Sequence, residues 1–467
     1  MIPPPDLLLR LQAVLGPEGW STEADRLAPK LVEWRDRWSG HTPFLALPGT
    51  TDEVAAVVGL CAAAGIAITP QGGNTGLVGG QIPQGEILLS TERLTRIRDL
   101  NLFDDVIVAE AGVSLAAVQA AALAQDRRFP LDLASQGSAT IGGIVSTNAG
   151  GTAVLRYGTT RDLVLGLEAV LPNGEIWNGL KRLRKDNTGY DLKQLLIGAE
   201  GTLGVVTAAS LKLFPVLASR ATALMAVDSP EIALSLLVRA RAATGGEVEA
   251  FELMGRQGLE FVLKNIPGQR DPLDRPHPWY VLVELASGDP GAAEAGLDRF
   301  LAEGLEAGRI RDAVIAQTRS QAAALWALRE NQSPGQKPEG ATWKHDISVP
   351  VSQVPRFIAE ASEAMRAFAP GCRITAFGHM GDGNIHYDVI RPEGGEDAAH
   401  SAGREAGSRR VHDIAVGLGG SISAEHGLGM MKTEAAALYK SPVELAALRA
   451  IRQSLDPQRI MNPRVLF

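Results

Sequence analysis

PQGGNTGLVGG, residues Pro70 to Gly80, follows the short apolar run IAIT and is dense in glycine. Without Cβ atoms such a loop can approach a ligand closely and turn its backbone N–H groups toward phosphate oxygens. Two segments of similar texture follow: QGSATIGGIVSTNAGG from Gln136 to Gly151, and GAEGTLGVVT from Gly198 to Thr207. None has the spacing GxGxxG, so a Rossmann dinucleotide fold is not supported. Taken singly, each reads as well as a tight turn packed against a sheet. Three of them, separated by strands in one half of the chain, favour a phosphate-bearing cofactor.

The surroundings of these loops read as short mixed elements. Thr50 with Glu53 makes a capping box, followed by Val54, Val57, Val58 and Cys61 at helical spacing, and Gly65 ends that helix. Strands are expected at 66–70, 86–90 and 106–110, then a Ser114-capped helix to about Gln125. LEAVLPNGEIW is a hairpin with Pro172-Asn173-Gly174 as its turn, and TLGVVTAASLKLFP closes the unit near Pro215. The absence of regular βαβ repeats argues for α+β organisation. Residues 216–420 change texture, with helical stretches such as EIALSLLVRARAA alternating with strands such as WYVLVELAS. NQSPGQKPEGA, which follows Glu330, is expected to be a loop. Residues 421–467 form a mainly helical C-terminal segment with a glycine-rich start.

The chain has 467 residues, more than one hydrophobic core normally serves, so at least two packed units are expected. Its formal net charge of −8, with no Lys/Arg-rich run, argues against a nucleic-acid surface. Cys61 and Cys372 are the only cysteines, and no CxxC or CxxCH occurs, which excludes a disulfide framework, a haem attachment and an iron–sulfur cluster. LLLRLQAVLG near the N-terminus reads as an amphipathic helix, not a signal peptide. No apolar run approaches 18 residues, so no membrane span is expected, and a cytoplasmic setting follows.

In this order, PQGGNTGLVGG, PLDLASQGSATIGGIVSTNAGG, RYG and GAEGTLGVVT resemble the FAD domain of the vanillyl-alcohol-oxidase/para-cresol-methylhydroxylase superfamily. FGHMGDGNIH, SAEHGLG and MNP narrow the resemblance to its D-lactate/D-2-hydroxyglutarate dehydrogenase branch, over roughly residues 40–467. The resemblance implies a two-lobed FAD-binding domain over 1–215, an α+β substrate (cap) domain over 216–420, and a segment 421–467 that completes the flavin and metal site. It implies FAD contacts from Pro70, Gly72, Gly73, Asn74, Thr75, Gly76 and Leu77, and from Leu133, Ser138, Ile141, Gly142 and Gly143. Ser146, Asn148, Glu200, Gly201, Gly204, Val205, Val206 and Asn462 complete the expected cradle. Some superfamily members attach FAD through a His near the first loop. Asn74 stands there in this chain, so the flavin is expected to be non-covalent.

Of eight histidines, His379 and His386 bracket a Gly-Asp-Gly turn, and His426 follows Glu425. The turn rules out a continuous helix, but two imidazoles could converge from a strand end and a returning strand. With Glu425 they would leave metal positions open for substrate. From spacing alone, hydrogen-bonded buried polar residues are the better reading. The resemblance reverses that, since family members place a divalent metal, often zinc, on the matching residues. It also points to His426 as general base, and to Arg329, Ser333 and Lys344 as substrate contacts. Arg329 and Ser333 share a helix face if that helix persists. Asp388 stands where the family commonly has Asn, and a carboxylate there would repel an anion unless turned away, paired or protonated. His400 and His412 are expected to be solvated. The implied function is FAD-dependent, metal-assisted oxidation of a D-2-hydroxy acid of the 2-hydroxyglutarate, lactate or malate class. Electrons would pass to an electron-transfer flavoprotein or quinone, and a homodimer is the assembly to test. An oxidase on the same fold, an alkylglycerone-phosphate-synthase-like enzyme and a glycolate-oxidase-type flavin subunit are the alternatives.

Overall fold

The computed structural model describes residues 3–466 and divides the chain into two compact units. The first comprises Met1–Gly151, Tyr157–Val216 and Glu425–Phe467; the second comprises Thr152–Arg156 and Leu217–Ala424. Mixed helices and sheets in both make the chain α+β.

The first unit has two principal sheets. In the four-stranded one, Ile68–Gln71 lies at the edge, parallel to Ile87–Ser90. That edge position tolerates Pro70, which has no N–H to give to a ladder. Beside this sheet the helix Thr51–Ala64 is capped as its sequence predicts, with Thr50 accepting from Glu53 N at 3.1 Å. The reciprocal carboxylate bond goes to Gly49 N, one residue before the cap. Gly65 ends the helix in the left-handed region at φ +64°. The five-stranded sheet is ordered Ile97–Asn101, Val106–Glu110, Val205–Lys212, Val164–Val170, Ile176–Gly179 and is antiparallel throughout. Its last pair is the expected hairpin, with Gly174 at φ +85° in the turn. The tail returns to this unit: Asn462 N donates to Ile68 O at 2.8 Å, and Met430 N to Val78 O at 3.0 Å.

The second unit is built on one antiparallel seven-stranded sheet. Its order is Asp312–Ile315, Ser219–Val227, Trp279–Ser287, Val248–Gly255, Arg373–His379, Asn384–Ile390, Thr342–Ser348. Alternation along the strands separates two cores. On one face Phe251, Leu253, Val281, Val283, Ile385 and Tyr387 pack under the helices Pro230–Ala243, Ala292–Glu306 and Val354–Phe368. On the other, Leu224, Met254, Tyr280, Leu282 and Phe377 meet Leu259, Val262, Leu325 and Leu328 from Arg256–Asn265 and Arg319–Glu330.

Two expectations are corrected in this unit. The NQSPGQKPEGA stretch is not a loop but a short helix, Gln332–Gln336, followed by a 3₁₀ turn, Lys337–Glu339. Tertiary packing overrides its turn-rich composition: Gly335 presses on the neighbouring helix so closely that a Cβ there would lie 3.1 Å from the Val262 backbone. His400 is buried, stacked on Trp343 with ring centroids 4.1 Å apart, and its Nε2 donates to Val389 O. His412 is half-buried, edge-on to His345. A ring neighbour, Trp343 for His400 and His345 for His412, packs against each of them, which composition alone does not show.

Candidate functional site

In the first unit the glycine-rich loops nest. A Cβ on Gly73 would lie 1.8 Å from Ser138 O, and one on Gly72 2.4 Å from Thr140 Oγ1. Gly142 is pressed in the same way on Ala111. Only glycine allows these approaches. The N–H groups of Gly73, Asn74, Thr75 and Gly76 donate to no backbone acceptor among the described residues. Thr140 Oγ1 and Asn462 Oδ1 are buried without a partner. Uncommitted donors beside a crevice that side chains cannot fill suit a phosphate-bearing ligand such as FAD. Ile141 N and Gly142 N are already bonded to Val113 O and Ala111 O, so the second loop contributes contour more than donors. Leu133 packs against the core beneath it.

Asn74 has φ +54°, and its side-chain amide donates to Pro29 O at 3.1 Å and Val32 O at 3.0 Å. It anchors the loop. The third glycine segment packs on the first two: Glu200 N donates to Ser146 O, and a Cβ on Gly201 would lie 3.0 Å from Pro70. Asn148, at φ +50°, accepts from Arg161 N through Oδ1. Gly204, at φ +150°, leads into the strand that Val205 and Val206 begin. Asn462 Nδ2 donates to Gly80 O at 2.9 Å and Glu200 O at 2.8 Å, which brings the tail to the ends of both loops.

The carboxylate of Glu200 is committed within the protein. It accepts from Leu428 N and Gly429 N, each at 2.8 Å. Burial pushes its pKa up, opposed by these two N–H groups and by Lys432. Just ahead of this clamp, His426 Nε2 lies 3.5 Å from Glu425 Oε1.

The second unit gathers the other expected residues on one face of its sheet. His379 ends one strand and stands opposite Glu252, while Phe377, two residues earlier, stands opposite His386. His386 is in turn opposite Asp346, and Asp388 opposite Lys344. Residues facing each other in register, or two apart on a strand, point the same way. The two imidazoles lie on this face with ring centroids 6.3 Å apart. Asp346 and His386 offer ligand atoms within 4.8 Å of one another, and Asp346 Oδ1 accepts from Asn384 Nδ2 at 3.0 Å. A set of nitrogen and oxygen donors without thiolate suits a divalent ion such as zinc.

Arg329 lies on the buried stripe of its helix, one turn beyond Leu325. Its Nε donates to Glu252 Oε2 at 2.7 Å, and its guanidinium lies over the Phe377 ring at 5.1 Å. His379 Nδ1 donates to the other oxygen, Glu252 Oε1, at 2.7 Å. Glu252 is fully buried, which would raise its pKa, yet His379 and Arg329 hold it down at about 2. The Arg329 helix ends at Glu330 and a second begins at Gln332, so Arg329 and Ser333 do not share one helix. Ser333 nevertheless accepts from Lys344 Nζ. Asp388 is buried at 2% exposure and accepts from His345 N.

Sequence reasoning missed Glu252, Asp346 and Phe377. Signals were present: Lys344 and Asp346 alternate on one strand, and Glu252 interrupts an apolar one.

Residues 216–466 match the family described as FAD linked oxidases, C-terminal domain, and residues 42–179 match the FAD binding domain. The chain is 37% identical over 461 residues to D-2-hydroxyglutarate dehydrogenase of Xanthomonas citri pv. viticola, covering 98% of this chain and 96% of that one. It is 36% identical to the mitochondrial D-2-hydroxyglutarate dehydrogenase of Arabidopsis thaliana, over 96% of this chain and 79% of the relative. That relative is named for a compartment other than the cytoplasm expected above. Among solved structures, p-cresol methylhydroxylase with substrate bound superposes with a TM-score of 0.73 at 15% identity, covering 99% of this chain and 96% of that one. Its likeness is one of fold. Among the described residues no helix is long and apolar enough to cross a membrane.

Proposed function

The chain belongs to the FAD linked oxidases, and from that membership we propose that it oxidises a D-2-hydroxy acid, 2-hydroxyglutarate foremost, to the 2-oxo acid. The observation that carries this reading is the half-used fork of Arg329. Its Nε is bonded to Glu252, while no other protein acceptor engages its Nη groups among the described residues. A guanidinium in that state is ready for a carboxylate and is fixed in orientation before it arrives. Lys344, tied to Ser333, supplies a second cation from the neighbouring strand. Two cations suit a dicarboxylate, in keeping with the names of the relatives.

When bound, FAD supplies a two-electron acceptor for the C2 hydride, and a divalent metal supplies Lewis acidity at the hydroxy acid. His379, His386 and Glu425 are the residues proposed to hold that metal, with Asp346 as a further donor on the same strand face as His386. His426 takes the proton of the C2 hydroxyl as general base, within reach of the Glu425 carboxylate that orients it. Gly73 to Gly76 would give their N–H groups to the flavin pyrophosphate, and Asn462, whose Oδ1 is buried without a partner, would line the same site. With FAD bound, an external acceptor, an electron-transfer flavoprotein or a quinone, would take the electrons onward.

The test is a dye-coupled screen of D- and L-2-hydroxy acids with the purified protein. Turnover of D-2-hydroxyglutarate above D-lactate and D-malate supports the reading. Preference for an L-acid, or rapid oxygen consumption without dye, refutes it.

A further inference from the structure

Glu252 was no part of the expected site, yet it lies where two of its proposed functions meet. It occupies the middle of the strand Val248–Gly255, on the face shared with His379 and Phe377. Its side chain is 1% exposed, so water does not satisfy its oxygens. Each oxygen is instead given to a different partner, Oε1 to His379 Nδ1 and Oε2 to Arg329 Nε, both at 2.7 Å. The two partners come from different elements, a strand end and a helix end.

We infer that Glu252 is a positioning residue that couples substrate-carboxylate recognition to metal binding, by fixing Arg329 with one oxygen and His379 with the other. This rests on the reading of Arg329 as substrate contact and His379 as metal ligand. On the His379 side, a carboxylate on Nδ1 places the proton there and leaves Nε2 with its lone pair outward, the form a metal needs. On the Arg329 side, the bond to Nε fixes the plane of the guanidinium. No other protein acceptor engages the Nη groups among the described residues, and the Phe377 ring, 5.1 Å from the guanidinium carbon, backs it. A substrate that draws Arg329 out of position therefore pulls on the group that orients His379.

Glu252→Gln keeps the shape but can accept from only one partner, turning an NH₂ toward the other donor. Glu252→Asp keeps the charge but is too short to reach both. The experiment measures Zn²⁺ affinity by equilibrium dialysis, with no turnover needed, and KM and kcat for D-2-hydroxyglutarate. Thermal melts are run alongside, to show that each variant is folded.

Both variants should weaken Zn²⁺ binding roughly ten- to a hundredfold, the usual effect of removing the partner of a ligating imidazole. Both should also raise KM more than they lower kcat in Zn²⁺-saturated protein. Their KM effects should not add to that of Arg329→Ala, because the same interaction is lost. If His379→Ala abolishes Zn²⁺ binding while both Glu252 variants bind Zn²⁺ like the parent, the inference is wrong and the site reading stands. If His379→Ala also binds Zn²⁺ normally, the metal-site reading itself fails and takes the inference with it. KM effects that add fully to Arg329→Ala would overturn the coupling.

Discussion

Glu200 reaches across 229 positions of sequence to accept a hydrogen bond from Gly429 N at 2.8 Å. Its other oxygen takes Leu428 N. A single half-buried carboxylate thus fixes the turn that follows Glu425 and His426 to the third glycine-rich segment. The turn is shaped for it: Gly427 has φ +75°, and a Cβ there would lie 2.7 Å from Glu200 Oε1. Glu200→Ala leaves two N–H groups without acceptors, a loss of about 1–3 kcal/mol each if they stay buried. We expect the variant to release FAD on gel filtration and to lose most turnover, with Gly427→Ala behaving alike. FAD occupancy and turnover equal to the parent in both would show that the clamp has no functional weight.

FAD itself should come free. With Asn74 committed to Pro29 O and Val32 O, the loop presents an anchoring amide at the place where some superfamily members carry a linking histidine. Acid precipitation should leave flavin absorbance in the supernatant and a colourless pellet. Flavin retained by the pellet would contradict this.

Metal removal should separate the two kinds of polar residue. Exhaustive chelation should abolish turnover with FAD still bound, and His386→Ala should do the same. Asp346→Asn should reduce metal content if that carboxylate joins His386 as a donor, as their separation within 4.8 Å allows. His426→Ala should instead keep its metal and lose roughly 10² or more in kcat, the usual weight of a general base. Elemental analysis beside steady-state kinetics distinguishes these outcomes. A metal-free protein with full activity would remove the metal from the mechanism.

The parts of the molecule legible in sequence were those written in local chemistry. Thr50, Glu53 and Gly65 announce a helix, and the clustered glycines announce close backbone packing, because each answers to its immediate neighbours. The seven-stranded sheet was not legible as such: strand 248–255 meets 373–379, and 342–348 meets 384–390, only through antiparallel pairing across long sequence separations. That pairing sets Glu252 against His379 and Asp346 against His386, so neither carboxylate had a sequence signature tying it to its histidine. Gln332–Gln336 reads as turn for a related reason. Its helix is stabilised by contact with Arg256–Asn265 and not by its own propensity.

Acid stability should depend on a different carboxylate. Glu339 is desolvated by burial, which would raise its pKa, but Asn265, Lys264 and Arg373 outweigh this and bring it down to about 2. A carboxylate with a depressed folded-state pKa stabilises the fold above its unfolded pKa, near 4.5, and that contribution is lost as pH falls toward 2. Glu339→Gln should therefore lower stability at pH 7 by about 2 kcal/mol, seen as a melting temperature several degrees lower. The gap between variant and parent should close on acidification from pH 5 to about pH 2, in the window where the carboxylate protonates. A gap that is constant over this range would assign the loss to packing and not to charge.

Lys344 and Asp388, the pair proposed to govern substrate choice, face each other across two strands. Asp388 is buried at 2% exposure, and its Oδ1 accepts from His345 N, so it belongs to the wall of this face and not to solvent. Facing strand partners of opposite charge attract, and Asp388 therefore competes with an incoming carboxylate for Lys344. Lys344→Ala should raise KM for D-2-hydroxyglutarate roughly ten- to a hundredfold, the worth of a charge-assisted hydrogen bond of about 1.5–3 kcal/mol. D-lactate, with one carboxylate, should lose less if Arg329 takes the carboxylate that both acids share. Asp388→Asn removes the competitor while keeping an acceptor for His345 N. It should lower KM for the dicarboxylate and leave that for D-lactate within about twofold, or about 0.4 kcal/mol, since D-lactate brings no second carboxylate to Lys344. The informative result is the ratio of the two substrates' kcat/KM across the three proteins. If that ratio stays constant, Lys344 and Asp388 do not read the second carboxylate, and the preference for a dicarboxylate lies elsewhere in the chain.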